Sequence, residues 1–410
     1  MLVDVLAWQQ RLTWRRLLQA AFSILAFGIS SLLAAAQEAS GAAGDFFTAI
    51  VDYSVTTDSN LFRRPGLANP RSDTINAASA ALRADKTYSQ QRFQLEVTEI
   101  VTRYNNSSYL NFDATNYRGS WLWSPSPSLN ANFSADRSKS LALFEDTLTT
   151  QRNVSIRENQ SLNLDGQIFG GWNWLAGISR SDQKSEQTIV NLPDQRTDSA
   201  EAGIKYLTLS GNSIVVTQRT SKGDYQNQSA SPNVTGTNFK QNESELKGNW
   251  NLSEKSELTG RVARLKRTNN QIGQRDFSGM SGDLAYTWKP TSKLSLNVSA
   301  NRSAMPLQDP SFSYSANDSL SLAPTWQVTE KISAHLRLQR ASSEYRGEGL
   351  VPATGPARKD TTDSAEIGID WSPLRKLSVK ASFQQQRRSS NDALFEYDDK
   401  LAKISANWIF

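Results

Sequence analysis

The chain has 410 residues, 38% hydrophobic and 21% charged, with 45 Lys and Arg against 40 Asp and Glu, a single His and no Cys. Without Cys there is no disulfide framework, thiolate metal site, catalytic thiol or lipid-carrying cysteine, and one His argues against a His-rich metal centre. Past residue 40 no apolar run approaches the ~18 residues of a helical span, which excludes a polytopic helical membrane protein but not a barrel, whose strands carry their apolar half in alternation.

Residues 1–36 read as an export signal. Arg11, Arg15 and Arg16 form the charged end, Leu17 to Leu33 the apolar stretch, and Ala34-Ala35-Ala36 a small-residue cleavage site, so cleavage is expected before Gln37. Removing this segment takes away three Arg and one Asp, leaving 42 basic against 39 acidic residues. The two signs are interleaved along the chain with no Lys/Arg-rich tract, so no nucleic-acid partner is expected.

From Phe46 the chain alternates strands, short polar turns and longer loops rich in Asn, Ser, Asp, Gly and Pro, with almost no helical pattern. A first strand over Phe46 to Val55 is followed by Thr57-Asp58-Ser59-Asn60-Leu61-Phe62-Arg63. Further on, Leu294 to Ala300, Ile332 to Leu338, Ala365 to Trp371 and Leu377 to Phe383 all alternate apolar with polar or Gly positions, which is the period of a strand with two unlike faces. A soluble sandwich would share that period. What separates the two readings is a repeat: NWNLSEKSEL (249–258), TWKPTSKLSL (287–296), TWQVTEKISA (325–334) and DWSPLRKLSV (370–379) each place Lys five positions after a Trp.

Trp250, Trp288, Trp326, Trp371 and Trp408 are spaced 38, 38, 45 and 37 apart, the length of one hairpin plus a longer loop. Trp at a turn mouth suits a bilayer interface, where the ring is apolar and the indole N–H remains wet, so these five predict an interface girdle against outer-membrane lipid. Short turns near 123–128, 170–173, 209–212, 252–256, 289–293, 328–331 and 372–376 alternate with long connections near 56–72, 139–151, 189–197, 226–237, 304–313 and 346–361. The pattern predicts an all-β, transmembrane antiparallel barrel over 37–410, of about 18 strands within a range of 16–20, in the outer membrane of a Gram-negative bacterium, with periplasmic turns and extracellular loops.

The chain stops on an alternating strand: Ile404, Ala406, Trp408 and Phe410 share a face, with Lys403 in the polar position and Ser405 where Gly is usual. This resembles the terminal signal read by the outer-membrane assembly machinery, so Lys403, Trp408 and Phe410 are its candidate residues. Together with the D-x-N-L-F-R segment, the barrel length and the Trp-turn-Lys hairpins, the chain resembles the exopolysaccharide-biosynthesis outer-membrane proteins of the EpsL type, associated with exosortase-linked operons. The resemblance implies a part in exopolysaccharide export, with the polymer and other export proteins as partners. It supplies no catalytic residue, and carries over Asp58, Asn60, Phe62 and Arg63 only as a family-marking loop of unknown role.

With Trp288, Trp326 and Trp371 toward lipid, parity assigns Asp283, Lys293, His335, Arg337, Glu366, Asp370 and Lys380 to the lumen. A mixed-charge wall suits a polar solute. His335 shares its face with Ser333 and Arg337 but no nucleophile motif surrounds it, and no phosphate loop, metal cluster or cofactor motif is present, so no enzyme is expected. The expected function is a polar conduit for exopolysaccharide. Alternatives are a general or sugar-uptake porin and a non-conducting scaffold or adhesive barrel.

Overall fold

The computed structural model describes residues 46–410 apart from 147–148, 187–193, 227–237, 271–272, 308, 310, 350 and 353–354; the export signal expected at 1–36 lies outside the described residues. Eighteen strands follow in chain order: β1 Phe47–Asp58, β2 Asp73–Tyr88, β3 Gln91–Tyr104, β4 Phe112–Ser126, β5 Leu129–Leu141, β6 Val154–Phe169, β7 Trp172–Ser185, β8 Asp194–Leu207 and β9 Ser213–Gln226 make the first half. The second half is β10 Asn238–Ser253, β11 Ser256–Asn269, β12 Phe277–Trp288, β13 Leu294–Pro306, β14 Tyr314–Thr329, β15 Ile332–Arg346, β16 Lys359–Leu374, β17 Leu377–Ser390 and β18 Tyr397–Ile409. Each strand pairs antiparallel with the next in sequence, and β1 closes onto β18 with Val51 opposite Trp408 and Tyr53 opposite Ala406. The result is a closed up-and-down barrel with no free edge, the arrangement that satisfies every backbone group without water.

Connections at one end are tight: 89–90, 127–128, 170–171, 254–255, 330–331 and 375–376, with slightly longer turns at 208–212 and 289–293. Both ends of the barrel chain, Phe46 and Phe410, lie at this turn end. The opposite, loop end carries 59–72, 105–111, 142–153, 270–276, 307–313, 347–358 and 391–396, along with the facing ends of β7 and β8 and of β9 and β10. The sequence pattern missed the β2–β3 turn, because Ser89 rather than Gly takes its left-handed backbone, φ 52°. It also missed the loop-end connections at 105–111, 270–276 and 391–396, which are compacted by single 3-10 turns.

Glu145 and Asp146, between β5 and β6, reach Arg388 on β17 and Arg358 beside β16. Strands so far apart round the cylinder meet only across its mouth, so the face bearing Arg388 is the inner one, and the registers extend that assignment strand by strand. Apolar side chains alternate onto the other face: Leu246 is 53% exposed, Val262 52%, Leu320 58% and Ile367 60%. A water-soluble sandwich would bury these positions; a barrel in lipid turns them outward. Buried apolar packing is confined to the loop end, where Leu61, Phe62, Tyr104, Leu110 and Phe144 cluster with Ile75 and Leu141.

Candidate functional site

The inner wall is a series of paired charges and hydroxyls. Arg261 on β11 holds Glu243 at 2.6 Å and Glu245 at 2.5 Å from β10, with Asp283 of β12 at 3.7 Å. Arg219–Glu201 at 2.6 Å, Arg92–Asp85 at 2.6 Å and the Lys205–Asp165 pair continue the pattern. Between the charges, serines pair across strands on the same face: Ser134 with Ser161 at 2.8 Å, Ser199 with Ser221 at 2.9 Å and Ser299 with Ser321 at 2.7 Å. Such a wall offers short-range donors and acceptors but little net field, because most of its charges are cancelled locally.

His335 lies within this wall. Its Nδ1 is 3.2 Å from Asp370, its Nε2 is 3.8 Å from Glu366, and Asp370 is 3.5 Å from Lys380 Nζ. Gly368 stands directly opposite His335 in the β15–β16 register, and a Cβ there would fall 2.4 Å from Nε2, so the imidazole rests on bare backbone. Two of the same packings occur elsewhere: Trp174 covers Gly166, and Phe239 covers Gly223 with the Arg267 guanidinium 3.3 Å from its ring centroid. An aromatic lying over a strand glycine fills the gap its missing side chain leaves. In the sequence Gly368 counts only as a non-apolar position and Gly166 and Gly223 carry no reading; a Gly directly opposite an aromatic in a hairpin is the available signal.

Of the residues expected to line the lumen, Asp283, His335, Glu366, Asp370 and Lys380 thus form two clusters, on β11–β12 and on β15–β17. Arg337 is opposite Glu366 in register but makes no ion pair among the described residues. Lys293 departs from the expectation: it precedes β13, in the turn, where strand parity no longer orients a side chain.

The turns show what the repeat builds. The backbone carbonyls of Lys255, Lys293, Lys331 and Lys376 accept hydrogen bonds from Lys289, Gln327, Ser372 and Ile409, each the residue after the next Trp, at 2.7–2.8 Å. Each turn lysine is therefore the point where one hairpin is tied to the next. Trp250, Trp288, Trp326, Trp371 and Trp408 stand on the outer face near these turns, joined by Trp121, Trp123, Trp172 and Trp174. At the terminus the Phe410 N–H donates to the Ala49 carbonyl at 2.8 Å, and its ring stacks near Trp408, so the last residues close the seam. Lys403 is exposed and paired in register with Thr56.

The loop end narrows the mouth. Asp58 ends β1, beyond the last apolar outward side chain of that strand at Val55, and is buried with Asp399 of β18. Arg63 bridges them, 3.0 Å from Asp58 and 3.1 Å from Asp399, held by a left-handed backbone at φ 53°. Asn60 locks the turn: its backbone N–H donates to both carboxylates at 2.8 and 3.1 Å, and its side chain bonds Arg64 and the Asp398 carbonyl. That folding drives Phe62 against Phe144, ring centroids 5.0 Å apart. Burial pushes the Asp58 carboxyl up to about 6, Arg63 opposing and the Asp399 carboxylate adding to the rise. From across the mouth, Asp146 is gripped by Arg388 at 2.9 Å and Arg358 at 3.0 Å, and Tyr397 donates to Glu145 at 3.3 Å. The sequence did not reveal this second anchor, whose partners lie more than 200 residues away.

Comparison with known proteins supports the same architecture. A family model described as "putative beta-barrel porin 2" matches residues 262–407, from within β11 to within β18. Three outer-membrane proteins of Pseudomonas aeruginosa share the fold: OccK9 (OpdG) at a TM-score of 0.52 and 12% identity, covering 89% of this chain and 99% of that one; OpdO at 0.51 and 12%, covering 89% and 97%; and OpdK at 0.50 and 9%, covering 89% and 99%. No curated protein matches the chain in sequence. The closed cylinder, its apolar outer face and these likenesses together make the chain a porin-like β-barrel of the Gram-negative outer membrane, in contact with membrane lipid.

Proposed function

We propose that the barrel is a passive conduit for a hydroxyl-rich solute, and that its cargo is an exopolysaccharide leaving the cell. The inner wall carries this reading: locally cancelled charges alternating with serine pairs offer many weak, equivalent hydrogen-bonding positions and no deep charged well, which lets a polyol chain slide. In this reading the turns are periplasmic and the loops extracellular, which the even strand count with both ends at the turn end supports. The Asp58–Arg63 segment supports the exopolysaccharide assignment by its resemblance, with a role as the loop's lock. Assembly would proceed through the terminal Lys403, Trp408 and Phe410 and the outer-membrane assembly machinery, in company with other export proteins. Deletion in the native host is expected to trap polymer in the periplasm; unchanged secretion would remove the export role.

A second reading is an uptake porin. It is favoured by the porin description of the matching family and by the shared fold with OpdK, whose structure was determined with vanillate. Channel recording separates the two: polysaccharide fragments that interrupt the current support export, whereas block by small carboxylates alone supports uptake.

A further inference from the structure

The outer face over β10–β13 holds a groove that no part of the described chain fills. Its floor is Gly248, Gly260, Gly282 and Ala300, one from each of four consecutive strands, brought together by the registers Gly248↔Gly260, Val262↔Gly282 and Leu284↔Ala300. Leu246, Trp250, Leu258 and Leu320 rise around it, and the hollow measures about 1150 Å³. Packing does not demand glycine at the first two positions. A Cβ on Gly248 would meet only the Ser213 carbonyl at 3.7 Å, and one on Gly260 only Leu284 Cδ1 at 3.5 Å, both ordinary contacts. Glycine weakens a strand, so two that could be replaced without conflict mark a hollow kept open rather than a close approach of backbones.

Immediately toward the loop end the same face turns cationic. Arg264 follows Val262 on the outward side of β11, Lys266 comes next, and Lys240 faces Lys222 directly across β10 and β9. All four are exposed, and none makes an ion pair among the described residues. Asp198, opposite Lys222, is taken by Arg180 at 2.6 Å, and Asp224 lies on the far side of Lys222 from the groove. Like charges set opposite each other cost stability in a sheet. Several other cations of the outer wall are matched: Arg302 with Asp318 at 3.6 Å, Arg340 with Asp363 at 2.9 Å, Arg137 with Glu158 at 3.3 Å.

An apolar groove capped by unneutralised cations is complementary to a lipid with several acyl chains and a phosphorylated head. We propose that β10–β13 bind one such lipid of the extracellular leaflet, of the lipid A kind, with acyl chains over the glycine floor and a phosphate on Arg264 and Lys266, and Lys240 beside them. The site rests on the loop end facing outward but not on conduction.

Native mass spectrometry of the full folded barrel in detergent tests this, with bis-phosphorylated lipid A, monophosphorylated lipid A and phosphatidylethanolamine as probes. Bis-phosphorylated lipid A is expected to be retained as a single adduct, the monophosphorylated form less, and phosphatidylethanolamine least. Arg264→Gln with Lys266→Gln should weaken lipid A roughly 30-fold. Gly248→Leu with Gly260→Leu, which fills the floor and leaves the cations, should also abolish the adduct, and heat-modifiable migration in gels verifies that both variants fold. Equal binding of all three lipids by the parent and both variants would mean ordinary annular lipid only and would overturn the site. Lipid A retention by a barrel without conductance would leave the site standing and remove the conduit, while conductance with indifferent lipid binding would do the reverse.

Discussion

Asp58, Arg63 and Asp399 meet where the first and last strands join, and two buried carboxylates share one guanidinium there. Removing the cation leaves both anions in a site that water hardly reaches, so Arg63→Ala is expected to destabilise the barrel by about 3 kcal/mol in urea titrations of vesicle-inserted protein. Loss of less than a tenth of that would show the triad to be solvated. Burial, with the Asp399 carboxylate adding to it, also makes the seat pH-dependent. Because the folded Asp58 carboxyl is raised to about 6, the seated loop binds a proton that the unseated loop does not, between the ordinary carboxylate range and about 6. The stabilisation is therefore present at low pH and lost as pH rises through about 6. A spin label at Ala68→Cys, unique because the chain has no cysteine, should be more immobile at pH 5 than at pH 7.5; equal spectra, or the opposite order, would contradict the assignment.

Loops and hairpins differ in how their anchors are written. The hairpins were legible: Trp288, Trp326 and Trp371 each precede a turn whose lysine carbonyl receives the next hairpin, and such contacts recur at a fixed period. The motif around Asp58 was visible as a pattern, but its role was not, since Asp399 lies at the opposite end of the chain. The 142–153 connection was legible only as a loop, because nothing within it signals that Glu145 and Asp146 reach Arg388, and a pairing between distant residues leaves no periodic trace. Lys293 failed for a related reason: alternation assigns faces only inside a strand. Because this loop narrows the mouth, Glu145→Ala with Asp146→Ala should loosen it, since Arg388 and Arg358 keep Asp360 while the loop loses both carboxylates and retains the Arg388 bond to the Glu145 carbonyl, the Tyr109–Thr150 bond and packing at Phe144. Single-channel recording is expected to show a higher mean conductance with the barrel intact by gel migration. An unaltered conductance would place the narrowest point elsewhere.

At the scale of the whole cylinder, the apolar part of the outer face meets hydrocarbon, and charge on the inner wall is arranged chiefly in neutralising groups rather than as a single-sign field. Eighteen strands at the usual spacing and tilt enclose a tube roughly 35 Å across the backbone, wide enough that mobile ions pass at a distance from any one pair. Such a channel should discriminate weakly, with a cation-to-anion permeability ratio on the order of one, read as a reversal potential near zero across a KCl gradient. Arg261 is the sharpest place to disturb that balance, because its guanidinium lies within 4 Å of Glu243, Glu245 and Asp283 together. Arg261→Gln removes the cation and leaves three carboxylates together on the wall, a ring segment of the kind that concentrates cations. The variant should shift the reversal potential toward cation selectivity, and the shift should shrink as salt rises and screening shortens. A reversal potential unmoved by this substitution would mean that ions do not travel along the wall beside Arg261.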